Sequence, residues 1–176
     1  MTKKTNIISF ELNTQKAVET VLWIINAGEN NLYNIMKIIF EADKYHINKY
    51  GRPVTGDEYY AMPKGTVPSW IYASTKLKEN YLGYCRQQNN LIANRKPNMD
   101  YFSISDIEAL NEGLKRYSGK TFKQVEDMNH KEICWKKNWK KHELVNCNSI
   151  KIPFEDMIEN KDLIKDLQES SCNIVI

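Results

Sequence analysis

The sequence has little that marks a secreted, metal-bound or membrane protein. Its cysteines, Cys85, Cys134, Cys147 and Cys172, are widely spaced, with no C-x-x-C pair. That spacing excludes a dense disulfide framework and leaves reduced cytosolic thiols as the expectation. No apolar run approaches the ~20 residues that a bilayer-spanning helix needs. The N-terminal stretch MTKKTNIISFELNTQK is charged but has no sustained apolar segment, so no secretory leader is expected, and the predicted location is cytoplasmic. A formal net charge of +3 is too small to argue for nucleic acid on its own. There is no internal repeat and no low-complexity segment. No serine or cysteine is placed by motif beside a histidine, so a nucleophilic triad has no support.

What is present is the composition of a soluble globular protein. The chain has 176 residues, 41% hydrophobic and 27% charged, enough for one sizeable core. It is organised around the stretch from Asn34 to Leu77. Ile35, Ile38, Ile39, Ala42 and Tyr45 have the spacing of one buried helix face, and Gly51 stands where a left-handed C-cap is needed. Pro53 forbids continuation of the helix, and Thr55-Gly56-Asp57 is tight-turn chemistry with Gly56 at a position suited to positive φ. The aromatic run that follows predicts a hairpin over about residues 52–62. Pro63-Lys64-Gly65 turns the chain again, and Pro68 fits the first position of a helix reaching Leu77.

These residues resemble the Panacea (SocA-like) antitoxin domain of bacteria and phages. The family pattern is a helix ending in Ala-Asp-x-x-His, then Tyr-Gly-Arg-Pro-x-Thr-Gly-Asp-x-Tyr-x-Ala, then Gly-Pro-Val-Pro. The matching residues here are Ala42, Asp43, His46, Tyr50, Gly51, Arg52, Pro53, Thr55, Gly56, Asp57, Tyr59, Ala61, Gly65, Val67 and Pro68. Thr66 stands where the family usually has proline. Further on, FSISDIEALNEGLKRYSGKTFKQVEDMNH resembles the second half of the family, with His130 and Trp135 as its closing positions. The resemblance spans about residues 15–140. It implies a toxin-neutralising protein without catalysis or cofactor, acting on a cognate protein toxin, and it places the protein in the setting of prophages and phage defence. Some relatives instead work as proteolytic adaptors that deliver a bound toxin to a AAA+ protease.

The rest of the chain reads as follows. Asn13 or Thr14 caps a helix to about Ala27, stopped by Gly28. A second helix begins near Asn31 and packs antiparallel to the first. Gln-Gln-Asn-Asn between Tyr84 and Leu91-Ile92 suggests a weak hairpin. Ser105 with Glu108, and Thr121 with Gln124, are capping-box pairs that start two further helices. Beyond them, KEICWKKNWKK holds five lysines against one glutamate, and EDMIENKDLIKDLQE holds six acids against two lysines. The expected architecture is α+β, mainly α: a compact helical domain over residues 10–145 with a small β-hairpin between helices. Residues 146–176 then form a variable tail with a short acidic helix begun at Pro153. The final Asn-Ile-Val-Ile is either a strand to add to a sheet edge or a frayed end.

Four constellations are chemical candidates. Asp43, His46 and Asp57 have the composition of an acid/base site, although His46 as a tie between hairpin and helix is the simpler reading. His130, Cys134, His142 and Cys147 offer zinc-ligand types at spacings that match no ordinary finger, so no metal is expected. Trp135 and Trp139 among lysines could form a basic aromatic patch, for an anionic protein surface sooner than for nucleic acid, although tryptophans four apart on a short helix more simply pack inward while the lysines solvate the other side. Tyr59, Tyr60, Trp70 and Tyr72 gather around the hairpin and the helix after it. They serve either as core filling or as the anchors of a partner surface, with strand alternation sending Tyr59 and Tyr60 to opposite faces. The oligomeric state is open.

Overall fold

The computed structural model describes residues 7–77 and 82–172, except the side chains of Ser171 and Cys172. Helix α1 (Thr14–Asn26) is capped by the Asn13 side chain, which accepts from the Lys16 amide. Helix α2 (Leu32–Tyr50) is capped by Asn31 and closed by Gly51 in the left-handed conformation, φ 74°. Both starts and the Gly51 stop lie where the sequence places them. α2 is the axis of the molecule. It is covered on nearly every side, and Asn34 to Phe40 are all buried.

The first hairpin is displaced from its expected position. Strands β1 (Tyr59–Met62) and β2 (Gly65–Pro68) pair antiparallel with Tyr59 opposite Pro68 and Met62 opposite Gly65. Residues 52–58 form a loop instead, because Asp43 on α2 takes the Val54 and Thr55 amides that a ladder would have used. Pro68 is the N-cap of helix α3 (Ser69–Ser74), which stops short of Leu77. The weak second hairpin exists as β3 (Tyr84–Gln87) and β4 (Asn90–Ala93), with Gln88 at φ 55° in its turn.

Helix α4 (Ile104–Tyr117) packs along α2. Its capping box uses Ser103 and Asp106, two residues earlier than the expected Ser105 and Glu108. Helix α5 (Phe122–Asn129) starts with the expected Thr121–Gln124 box. Helices α6 (Ile133–Trp139) and α7 (His142–Val145) follow.

Strand β5 (Ile150–Ile152) lies beyond the boundary drawn at residue 145, and it pairs with β1, Tyr59 opposite Ile152, to give the sheet order β2-β1-β5. Pro153 opens only a 3-10 turn, Phe154–Met157. The acidic helix, α8, spans Lys161–Cys172. Asn173–Ile176 lie outside the described residues.

The interior divides into two clusters that both draw on α2. One joins α1, α2, α4, α5 and the β3–β4 hairpin. The other holds Phe40 and Ile47 of α2 with Tyr59, Ala61, Trp135, Ile152, Phe154 and Met157, and Leu163, Ile164 and Leu167 of α8 pack against it. No helix among the described residues is long and apolar enough to cross a membrane.

Candidate functional site

The polar signature residues hold the loop and hairpin onto α2. Asp43, wholly buried, accepts from the Val54 and Thr55 amides at 2.9 Å each, from the Thr55 hydroxyl at 2.6 Å and from the Tyr59 hydroxyl at 2.9 Å. Burial pushes its pKa up to about 6 against the pull of those donors, so at neutral pH it is still a carboxylate. Asp57 accepts from the Trp70 and Ile71 amides at 3.0 and 2.9 Å. It thus serves the start of α3, where Pro68 offers no capping side chain. The Arg52 guanidinium meets Asp106 at 3.1 Å, and Pro53 packs inside.

His46 is equally committed. Its Nδ1 lies 2.6 Å from the Arg52 carbonyl, an acceptor only, so Nδ1 carries the proton. Nε2 lies 3.0 Å from the Ser105 hydroxyl, which donates to it. Burial lowers the histidine pKa and favours the neutral ring. All three acid/base candidates are buried and hydrogen-bonded to the fold's own groups.

The hairpin tip is held by its backbone. Tyr33 of α2 donates to the Lys64 carbonyl at 2.7 Å, and Trp135 Nε1 donates to the Met62 carbonyl at 2.9 Å. His130 Nε2 lies 3.0 Å from the Pro63 carbonyl and donates to it. On the outer edge of β2, the Thr66 amide donates to Asn129 Oδ1 at 2.6 Å, and its carbonyl accepts from the Lys37 ammonium. Thr66 stands where the family has proline, which would have no N–H to give Asn129. Gly65, at φ 106°, is required here: a Cβ would lie 2.2 Å from Asn129 Oδ1. His130, Trp135, Trp139 and His142 form a ladder of near-parallel rings with centroids 4.0, 5.9 and 4.1 Å apart. The histidines of the zinc candidate are thus stacked on tryptophans, and burial pushes the Cys134 thiol up to about 12. No group of three His, Cys, Asp or Glu that could hold a metal occurs among the described residues.

The aromatic quartet separates. Tyr59 is 0% exposed, with its ring against Phe40 and its hydroxyl on Asp43, so it belongs to the core and not to a contact surface. Tyr60, Trp70 and Tyr72 are half-buried. Tyr60 faces outward opposite Val67 on β2 and Lys151 on β5.

A groove of about 650 Å³ opens between the start of α2, the β1–β2 hairpin, Tyr72 of α3, the β3–β4 turn and Phe122 of α5. Tyr33, Met36, Met62 and Val67 supply most of its apolar wall. Met62 and Val67 share the outward sheet face with Tyr60, so that face continues the groove. Lys37 lies in the wall, 0% exposed, and burial lowers its pKa to about 7 even though Glu126 pulls it up. Sequence reasoning missed Lys37, Lys64, Arg86 and Phe122. For Lys37 a signal existed: it interrupts the apolar run Ile35-Met36-Lys37-Ile38-Ile39-Phe40, which leaves a buried helix no wet side.

A family model described as antitoxin SocA-like, Panacea domain, matches residues 35–136, more than half of the 176-residue chain. No curated protein and no solved structure matches the chain significantly.

Proposed function

The chain belongs to the SocA-like antitoxin family through its Panacea domain, and on that premise we propose that it neutralises a cognate protein toxin by direct, stoichiometric binding. The observation that supports binding over catalysis is the inward commitment of Asp43, His46 and Asp57. Each has its polar atoms engaged by the fold's own groups, and none is left to move a substrate proton. The contact surface in this reading is the outward sheet face and the groove beside it, with Tyr60, Trp70 and Tyr72 as aromatic anchors on rigid elements.

Titrating the protein into a fixed amount of toxin tests this reading. Inhibition is expected to complete at one equivalent, with the toxin remaining abundant. Tyr60→Ala or Tyr72→Ala is expected to weaken binding by about 2 kcal/mol while the melting temperature holds. Protection far below one equivalent, abolished by His46→Ala in a folded protein, would sink the binding model. Loss of the toxin in cells that retain their AAA+ proteases, but not in cells lacking them, would favour the adaptor reading.

A further inference from the structure

The groove carries a charge asymmetry that the family signature does not explain. Among the described residues its basic lining side chains are Lys37, Lys64 and Arg86, and no aspartate or glutamate lines it. The chain's other three arginines, Arg52, Arg95 and Arg116, each meet a carboxylate. Arg86 donates only to the Gln88 carbonyl, at 2.8 Å, and has no carboxylate partner among the described residues. Lys64 lies over the Phe122 ring, 5.1 Å from its centroid, and is likewise not ion-paired among the described residues. The Lys37 amine donates to the Thr66 carbonyl and lies 4.7 Å from the Tyr33 ring, turned to the fold rather than to the rim. Lys64 and Arg86 thus stand exposed at the rim of an apolar wall with no carboxylate paired to them among the described residues, so an incoming negative charge meets them without first displacing an ion-pair partner.

We propose that this groove docks a short segment of the toxin that carries a large apolar side chain flanked by carboxylates, a reading that rests on the antitoxin function above. The apolar side chain sits between Tyr33, Met36, Met62, Val67, Tyr72 and Phe122, in a space of the size that takes one or two aromatic anchors. Its flanking carboxylates meet Lys64 and Arg86 at the rim. A basic segment is rejected by the same cations, which is how charge supplies partner choice as well as attraction. An apolar floor with so few cations suits a protein segment better than a nucleic-acid backbone, which needs a continuous basic track.

The probe is a library of random short peptides displayed on phage, selected on the intact protein and counter-selected on the Lys64→Glu/Arg86→Glu double variant. Both side chains are exposed, so the variant is expected to keep the wild-type melting temperature; Lys64→Ala and Arg86→Ala serve in its place if it does not. The expected winners place Trp, Phe or Leu beside Asp or Glu. A synthesised winner is expected to bind the double variant at least about tenfold more weakly and to lose affinity as salt rises. No enrichment, enrichment of basic sequences, or equal affinity for the double variant overturns the proposal. So does a single-stranded RNA oligonucleotide that binds through Lys64 and Arg86 where no peptide does. In a growth assay with co-expressed toxin, a double variant that protects as well as the wild type sinks the groove alone. A wild type that never restrains the toxin sinks the antitoxin reading, and the peptide selection still judges the groove.

Discussion

At the scale of single residues, the signature motif is written in backbone constraints and buried partners. Gly56 has φ +78°, and a Cβ there would lie 2.3 Å from the Glu11 carbonyl oxygen. Gly56→Ala is therefore expected to cost about 2 kcal/mol or more, read as a lower urea midpoint, with toxin protection falling in step. A variant with wild-type stability and no protection would make the loop a contact site instead. Lys37 gives a pH signature. Its pKa falls from the ordinary 10.5 to about 7 on folding, so between those values the unfolded chain holds a proton that the folded one lacks. The contribution of this residue is fully present above the unfolded value and is lost as pH falls towards 7. Relative to Lys37→Met, the wild type is expected to gain stability from pH 7 to pH 9, by up to about 1.4 kcal/mol per pH unit. Parallel stability curves for the two proteins would show that the amine is charged in the fold. The histidine, the paired aspartates and the glycines were visible in the sequence. Which way they faced was not, because a hydrogen bond between Asp43 and Tyr59, sixteen positions apart, leaves no local pattern.

At the scale of elements, local chemistry was legible and long-range pairing was not. The caps at Asn13, Asn31 and Thr121 act through neighbours within a turn, and each lies where the sequence puts it. At the α4 start the box forms at Ser103 and Asp106 rather than at the expected Ser105 and Glu108, and Asp106 is held there by Lys16 and Arg52, which come from far along the chain. The first hairpin slipped because a loop satisfied by α2 mimics strand composition. β5 was missed because its partner, β1, lies about ninety residues earlier. That pairing sets a prediction for truncation. A chain stopped after Ser149 loses β5, Phe154 and Met157, and exposes the β1 edge and the second core cluster. It is expected to aggregate or fail to melt cooperatively. A chain stopped after Asn160 keeps them and is expected to fold with a lower melting temperature, since it loses the α8 packing of Leu163, Ile164 and Leu167. Equal melting curves for the full chain and the Ser149 stop would mean that the segment contributes nothing to the domain.

At the scale of the whole molecule, α2 serves both core clusters and supplies the Lys37 and Tyr33 contacts to the hairpin. The proposed contact face is thus tied to the helix that both clusters share. The outer edge of β2 is occupied at Thr66 by Asn129 and Lys37, so on the proposed reading a partner would not extend the sheet at that position and would engage side chains there.

The clamps on the hairpin tip grip the carbonyls of Met62, Pro63 and Lys64, and they make no demand on the Met62 and Lys64 side chains. A peptide plane held from several helices keeps its position whatever side chain it carries. Lys64→Ala, Lys64→Glu and Met62→Leu are expected to leave the melting temperature within about 1–2 °C of wild type while moving affinity severalfold. A large drop in stability from any of them would show that the tip is held by its side chains after all. Built this way, the protein separates its frame from its vocabulary: side chains at the tip can be exchanged one at a time without renegotiating the fold that presents them.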